Sequence, residues 1–168
     1  SFHEHNEDKV LFKIINQIKN SKNVSIISDA GTPAISDPGY KLIRECSQQL
    51  IEYTLIPGPS SVISAAVMSG LPTDKFTFFG FVPKKLSDQE ICFETIKNDN
   101  KTSIFFESPK RLEKTITNLI KVIGKTRRVS ICKEMTKLHE QIFRGSISEI
   151  LEDIKKEKIL LKGEIVIV

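Results

Sequence analysis

Tryptophan is absent from this chain of 168 residues, and there are only two tyrosines, two methionines, three histidines and three cysteines. Cys46, Cys92 and Cys132 stand far apart with no C-x-x-C pair, which argues against a zinc or redox motif and leaves reduced, mostly buried thiols as the expectation. No apolar run approaches the length that crosses a bilayer. The front lacks the basic start, apolar stretch and small-residue cleavage site of a signal peptide, so the expectation is a soluble, cytoplasmic protein with no membrane partner. Charge of one sign is also missing: 25 Lys and Arg face 21 Asp and Glu, and the net +4 is compatible with an anionic partner without requiring one. What is present, 39% apolar and 27% charged residues with 8 Gly and 7 Pro, is the composition of a globular protein and excludes collagen-like, mucin-like and disordered classes. A start at Ser1 and an apolar stop at Val168 suggest a piece of something longer.

Val10, Leu11, Ile14, Ile15 and Ile18 recur at helical spacing and predict a one-sided helix over 8–19. Val24 to Ser28 and Tyr53 to Ile56 read as short strands. Asp37 as cap and Pro38 at the first helical position predict a helix through Tyr40, Leu42, Ile43 and Cys46. Pro57 to Ser61 opens a small-residue helix that ends at Gly70-Leu71-Pro72. An aromatic strand follows from Phe76, then a helix to Lys97, strands at 102–107 and 129–133 around a helix at 109–123, a helix at 146–155 and a strand at 165–168. Alternating strands and helices predict α/β layers, divided near 72–75 into domains 1–73 and 74–168.

Ligands in open α/β sheets bind at the carboxyl ends of strands, which makes Ser28-Asp29-Ala30-Gly31-Thr32-Pro33 the leading candidate. Asp29 can accept from an ammonium or hydroxyl, Gly31 admits close backbone approach, and Thr32 adds a hydroxyl before rigid Pro33. An ordinary turn has the same composition, and the segment carries neither a dinucleotide nor a P-loop fingerprint. Pro57 to Ser61 offers hydroxyls and amides at a helix start, suited to a carboxylate or serving only as a cap. Glu107 to Arg111 and Lys133 to Glu140 are two further strand ends, readable as polar sites or as solvated helix starts. Lys84, Lys85, Lys110, Lys133, Lys137 and Arg127-Arg128 could form a phosphate-binding surface if the fold gathers them. His3-Glu4-His5-Asn6-Glu7 lacks the H-E-x-x-H spacing, so no metal is expected there.

In order along the chain, H-E-H-N-E from His3, S-D-A-G-T-P from Ser28, P-G-P-S from Pro57, G-L-P from Gly70, F-x-F-x-G-F-x-P from Phe76, F-F-E-S-P-K-R from Phe105, K-E-M-T-K-L-H-E from Lys133 and the closing Lys162-Gly163-Glu164 form a joint pattern. That series resembles the bacterial ribosomal RNA small-subunit 2′-O-methyltransferase I family of the tetrapyrrole-methylase (class III) superfamily. The resemblance implies a two-domain tetrapyrrole-methylase-like α/β fold with S-adenosylmethionine in a cleft between the domains. It also implies a homodimer acting on a cytidine ribose of 16S ribosomal RNA, free or in the small ribosomal subunit; the alternatives are a methylase of a tetrapyrrole or of a modified protein residue, since the superfamily shares the cleft, and a noncatalytic nucleotide- or RNA-binding fragment. It implies cofactor contacts from Ser28, Asp29, Ala30, Gly31, Thr32, Pro33 and Ser61, and from Phe106, Glu107, Leu138, Gly163, Glu164 and Ile165. Glu107, Glu134 and Lys137 are the residues expected to serve as base or orienter, and Lys84, Lys110 and Arg111 to meet RNA. Members usually carry a T-P-I-G-N-L-type loop on an N-terminal strand, an E-D-T-R-type motif and a C-terminal tail. None of these is present, so the expectation is a piece whose missing front would supply a strand and part of the catalytic wall.

Overall fold

Helical periodicity in the first third of the chain produces two helices that bury one stripe each, α1 (Glu7–Lys19) and α2 (Tyr40–Gln48). Ile14, Ile15, Leu42 and Cys46 form their shared core, flanked by Val10, Leu11, Ile18, Ile26 and Ile51. The computed structural model describes residues 2–3 and 6–168. The chain divides into two units, 1–60 and 61–168.

Three expectations for the first unit change. Residues 24–28 and 53–56 are not strands: among the described residues they make no backbone–backbone hydrogen bond, and Ile27 and Ile56 are 90% and 85% exposed. A β-branched run becomes a strand only where a neighbour takes its backbone groups, and neither run has one here. The second helix starts at Tyr40 instead of Pro38. Gly39, at φ +143°, is its cap, and the Gly39 N–H donates to the Glu7 carboxylate 3.0 Å away, so α1 fixes this helix start and Asp37 stays exposed in the turn before it.

The second unit holds α3 (Ser61–Ser69), β1 (Phe76–Phe81), α4 (Leu86–Lys97), β2 (Thr102–Glu107), α5 (Pro109–Ile123), β3 (Arg128–Lys133), β4 (Gln141–Ser146), α6 (Ile147–Lys155) and β5 (Ile165–Ile167). The α/β expectation holds, with a five-stranded mixed sheet in the order β1-β2-β5-β3-β4. β1 pairs parallel with β2, while β5 runs antiparallel to β2 and β3, and β4 antiparallel to β3. Strand β4 is an addition to the sequence reading. Arg144 and Gly145 obscure its alternation, and six register pairs with β3 make it a strand.

Period-two alternation sorts the strand residues onto two buried faces. Phe105, Ile131, Ile165 and Ile167 meet Phe93 and Ile96 of α4, Leu112, Ile116 and Leu119 of α5, and Ile147, Ile150 and Ile154 of α6. Ile104, Cys132, Val166 and Val168 meet Val62, Ala65 and Ala66 of α3. Fully buried side chains such as Leu112 and Ile116 contribute about 1.5–3 kcal/mol each. Phe79 stacks on Phe105 with centroids 4.8 Å apart. Side chains satisfy helix ends both locally and at a distance: Ser146 and Glu149 form a capping box on α6, and the Arg144 guanidinium, from β4, donates to the Met68 and Ser69 carbonyls that end α3. No described helix is long and apolar enough to cross a membrane.

Candidate functional site

The expected site residues fall into two sets, one in each unit, with Ser61 at the first position of α3. In the first unit the turn 28–33 lies against the turn 57–60. Thr32 Oγ1 donates to the Gly58 carbonyl at 3.2 Å. A Cβ on Gly58 would sit 2.8 Å from the Gly31 carbonyl oxygen, so the two backbones approach more closely than any other residue type allows. Gly31 itself has φ +76°, the region glycine tolerates. Ser28 Oγ donates within the turn, to the Ala30 carbonyl at 3.1 Å. The N–H groups of Ala30 and Gly31 have no backbone acceptor among the described residues, and Asp29 is exposed. The turn therefore presents free amides beside a carboxylate, the donor set that a zwitterionic amino acid requires.

In the second unit the sheet places the expected residues along one edge. β1, β2 and β3 all end there, and β4 and β5 begin there, because Glu107 pairs with Ile165, Ile165 with Lys133 and Lys133 with Gln141. Beyond β3 the chain turns through Glu134 and Thr136, both in the left-handed region at φ 51° and 66°. Glu134 ties this turn to the one before β5: its N–H donates to the Glu164 carbonyl at 2.9 Å, and its Oε1 accepts from the Glu164 N–H at 2.7 Å. Lys137 closes the group, with Nζ 3.2 Å from Glu134 Oε1 and 3.0 Å from Glu164 Oε2. The Glu164 N–H, and then the Lys137 ammonium, hold the Glu134 carboxyl below the usual carboxylate range. The Glu164 and Glu134 carboxylates push Lys137 above the usual lysine value. Both groups are therefore held in their charged forms. Gly163, at φ +79°, has no room for a side chain because a Cβ would run into the Glu134 carboxylate. Leu138 is 94% exposed at the end of the same turn, an apolar surface beside polar backbone.

Glu107 is enclosed. One oxygen accepts from the Ser108 N–H at 2.6 Å and the other from Thr115 Oγ1 at 2.5 Å, with Arg111 Nη2 3.3 Å away. The same Arg111 nitrogen donates to the Val82 and Pro83 carbonyls at 2.8 Å each. Arg111 thus fastens the end of β1 to the start of α5, while Lys84 and Lys110, expected to meet RNA with it, are exposed. Spacing carried a sign of this, since Glu107 and Arg111 stand four residues apart across a helix start. Two residues of the wider basic set are taken up by the fold: Lys133 is 6% exposed, and Arg127 donates to the Ile96 and Asp99 carbonyls at the end of α4. Phe106, half-buried, makes edge contacts with Phe78 and Phe81.

Two residues to which the sequence reading gave no individual role matter to this geometry. Gly58 permits the contact between the two turns, and the P-G-P motif was its only sign. Glu7, 6% exposed, holds Gly39 and gave no sign beyond its place in H-E-H-N-E. Glu4 and His5 of that motif lie outside the described residues, and among the described residues no cluster of three metal-ligating side chains occurs.

Comparison with known proteins agrees with the architecture. Over its full length the chain is 44% identical to the "Ribosomal RNA small subunit methyltransferase I" of Thermotoga maritima, covering 74% of that protein. It is 42% identical over 82% of its length to the protein of the same name from Mycobacterium tuberculosis, of which it spans 48%. Among solved structures, a diphthine synthase superposes over 99% of this chain and 67% of its own, with a TM-score of 0.74 at 15% identity. A uroporphyrin-III C-methyltransferase from Thermus thermophilus, complexed with S-adenosyl homocysteine, superposes over 96% of this chain and 72% of its own, with a TM-score of 0.58 at 11% identity. These last two speak to the fold alone. With the tetrapyrrole (corrin/porphyrin) methylase family model matching residues 1–151, and with such relatives along its whole length, the chain belongs to that family of methyltransferases.

Proposed function

We propose that this chain is the core of an S-adenosylmethionine-dependent methyltransferase that modifies the ribose 2′-oxygen of a cytidine in 16S ribosomal RNA. Its substrate is the free RNA or the small ribosomal subunit, and it works in the cytoplasm as a homodimer divided into parts 1–73 and 74–168. One observation carries the substrate class: 44% identity along the whole chain to a relative named for ribosomal RNA, against 11–15% to the uroporphyrin-III and diphthine enzymes.

The residues fit the cofactor. The free amides of Ala30 and Gly31 with the Asp29 carboxylate suit its amino-acid end, together with Ser28, Thr32, Pro33 and Ser61. Exposed Leu138, with Phe106, Glu107 and the backbone of Gly163, Glu164 and Ile165, suits an adenosine, which takes apolar walls and backbone hydrogen bonds. When bound, the cofactor supplies a methyl group already activated by its sulfonium charge. What remains for the protein is alignment and removal of one hydroxyl proton. Glu107, Glu134 and Lys137 are the residues assigned to that work. Glu107, with both oxygens engaged, orients the β2–α5 turn. Lys137, held as an ammonium, offers positive charge to an incoming RNA oxygen, and the Glu134 carboxylate, which keeps Lys137 in place, is the acceptor for the hydroxyl proton. Lys84 and Lys110 are exposed for phosphate contact, with Arg111 bracing the segment that carries Lys84.

Transfer of labelled methyl groups tests the reading, with small ribosomal subunits, naked 16S RNA, a tetrapyrrole and bulk protein as acceptors. The expected label is on a cytidine ribose. Label only on the macrocycle or on protein, or salt-sensitive RNA binding with no transfer, refutes the reading.

A further inference from the structure

The turn 28–33 has few ties of its own. No backbone–backbone hydrogen bond runs through residues 23–38 among the described residues, and the side-chain bonds of Ser28 stay within the turn. Its shape must therefore be imposed at its two ends. One end is the contact with Gly58. The other is residue 39, where the chain has passed through Ala34 at φ 67° and Ser36 at φ 59°. These are conformations that side-chain-bearing residues adopt only when surrounding structure holds them. Gly39 closes the segment back on itself, since a Cβ there would lie 3.0 Å from the Ala34 side chain, and its N–H points at Glu7.

We infer that Glu7 is a positioning residue for the cofactor site: from α1, its buried carboxylate accepts the Gly39 N–H and so fixes the far end of the turn that receives the amino-acid part of S-adenosylmethionine. This rests on the functional reading above. Glu7 is suited to the task because it is 6% exposed, and a buried carboxylate that loses its donor is costly, so the contact is kept. The Lys41–Asp8 ion pair at 2.6 Å ties the same two helices at the surface, but it sits in water and does not reach the turn. The interior pairing of Ile14 and Ile15 with Leu42 and Cys46 holds the helices together without Glu7, so loss of Glu7 loosens the turn more than the helix pair.

The test uses the full chain with Glu7→Ala, Glu7→Gln and Glu7→Asp. It reads amide hydrogen exchange at Gly39, whose N–H Glu7 accepts, and kcat and KM for S-adenosylmethionine with small subunits as acceptor. Glu7→Ala is expected to speed exchange of the Gly39 amide about tenfold and to raise KM about tenfold, with kcat within about twofold of wild type. Glu7→Gln, which keeps an oxygen acceptor at the same reach, recovers most of both. An unchanged KM and unchanged exchange at Gly39, with only a lower melting temperature, overturns the inference, as does a Gln variant as impaired as Ala. Where Glu7→Ala does not fold, Glu7→Asp decides, because it is one methylene too short: wild-type KM and exchange in that variant overturn the inference, and a raised KM supports it. A wild-type chain that transfers no methyl group refutes the functional reading instead, and the exchange measurement still decides whether Glu7 fixes the turn.

Discussion

Gly58→Ala isolates the contact between the turns 28–33 and 57–60. The added methyl would lie 2.8 Å from the Gly31 oxygen, 3.2 Å from its carbonyl carbon and 3.5 Å from the Thr32 nitrogen, whereas ordinary contact begins at 3.4 Å. All three atoms are backbone, so no rotamer change relieves the overlap, and one turn must retreat by about half an ångström. Gly58 does not have a left-handed φ, so the substitution acts through this overlap and not through backbone strain. Overpacking of this kind costs about 1–3 kcal/mol, and stretching the Thr32–Gly58 hydrogen bond from its present 3.2 Å adds about 0.5–1.5 kcal/mol. If roughly half of the sum falls on the bound state, affinity for S-adenosylhomocysteine drops about 3-fold to 40-fold, since 1.4 kcal/mol is tenfold. Calorimetric titration with that ligand, alongside a urea melt, reads both parts. Wild-type affinity and an unshifted urea midpoint would refute the reasoning, because they would mean that the two backbones are not in contact in solution.

Two other expectations follow from single contacts. Arg111→Met leaves the Val82 carbonyl without the guanidinium, while Pro83 keeps the Gln89 side-chain amide as donor, and it removes the cation beside enclosed Glu107, so the urea midpoint is expected to fall by the equivalent of about 1–3 kcal/mol; an unshifted midpoint refutes the brace. The Glu134–Lys137 pair has a defined pH window. Glu134 is held below its ordinary value, so its contribution is present above the ordinary carboxylate range and is lost as pH falls through its lowered value. Lys137 is raised, so its contribution is present below the ordinary lysine value and is lost as pH climbs through the raised one. Exchange of the Glu164 amide is therefore expected to stay protected across neutral pH and to quicken at both extremes. Glu134→Gln should abolish the acid limb, and a wild-type limb that persists in that variant refutes the assignment.

Helix α5 was legible to the residue because Ser108, Pro109 and an apolar stripe from Leu112 to Ile123 are local signals, and α6 because Ser146 and Glu149 spell a capping box. The order of motifs gave the family in the same way, since motif order is a property of the chain itself. Site residues were legible as strand ends, but their states were not. The side chains that enclose Glu107 lie within one helix start, but that Arg111 serves the carbonyls of Val82 and Pro83, and that Lys133 is buried beside Ile165, depends on segments distant along the chain.

From its sequence alone this protein is an α/β chain with helices α1, α3, α4, α5 and α6 and strands β1, β2, β3 and β5 near their observed places, because periodicity, caps and turn residues act over a few positions. Only the tertiary structure decided that 24–28 and 53–56 form no ladder here, that Gln141–Ser146 is a strand, and that Glu7 and Gly58 hold the two ends of the 28–39 segment. Each of those depends on a partner brought close by folding, and a backbone hydrogen bond or a steric contact does not exist until both of its halves are in place.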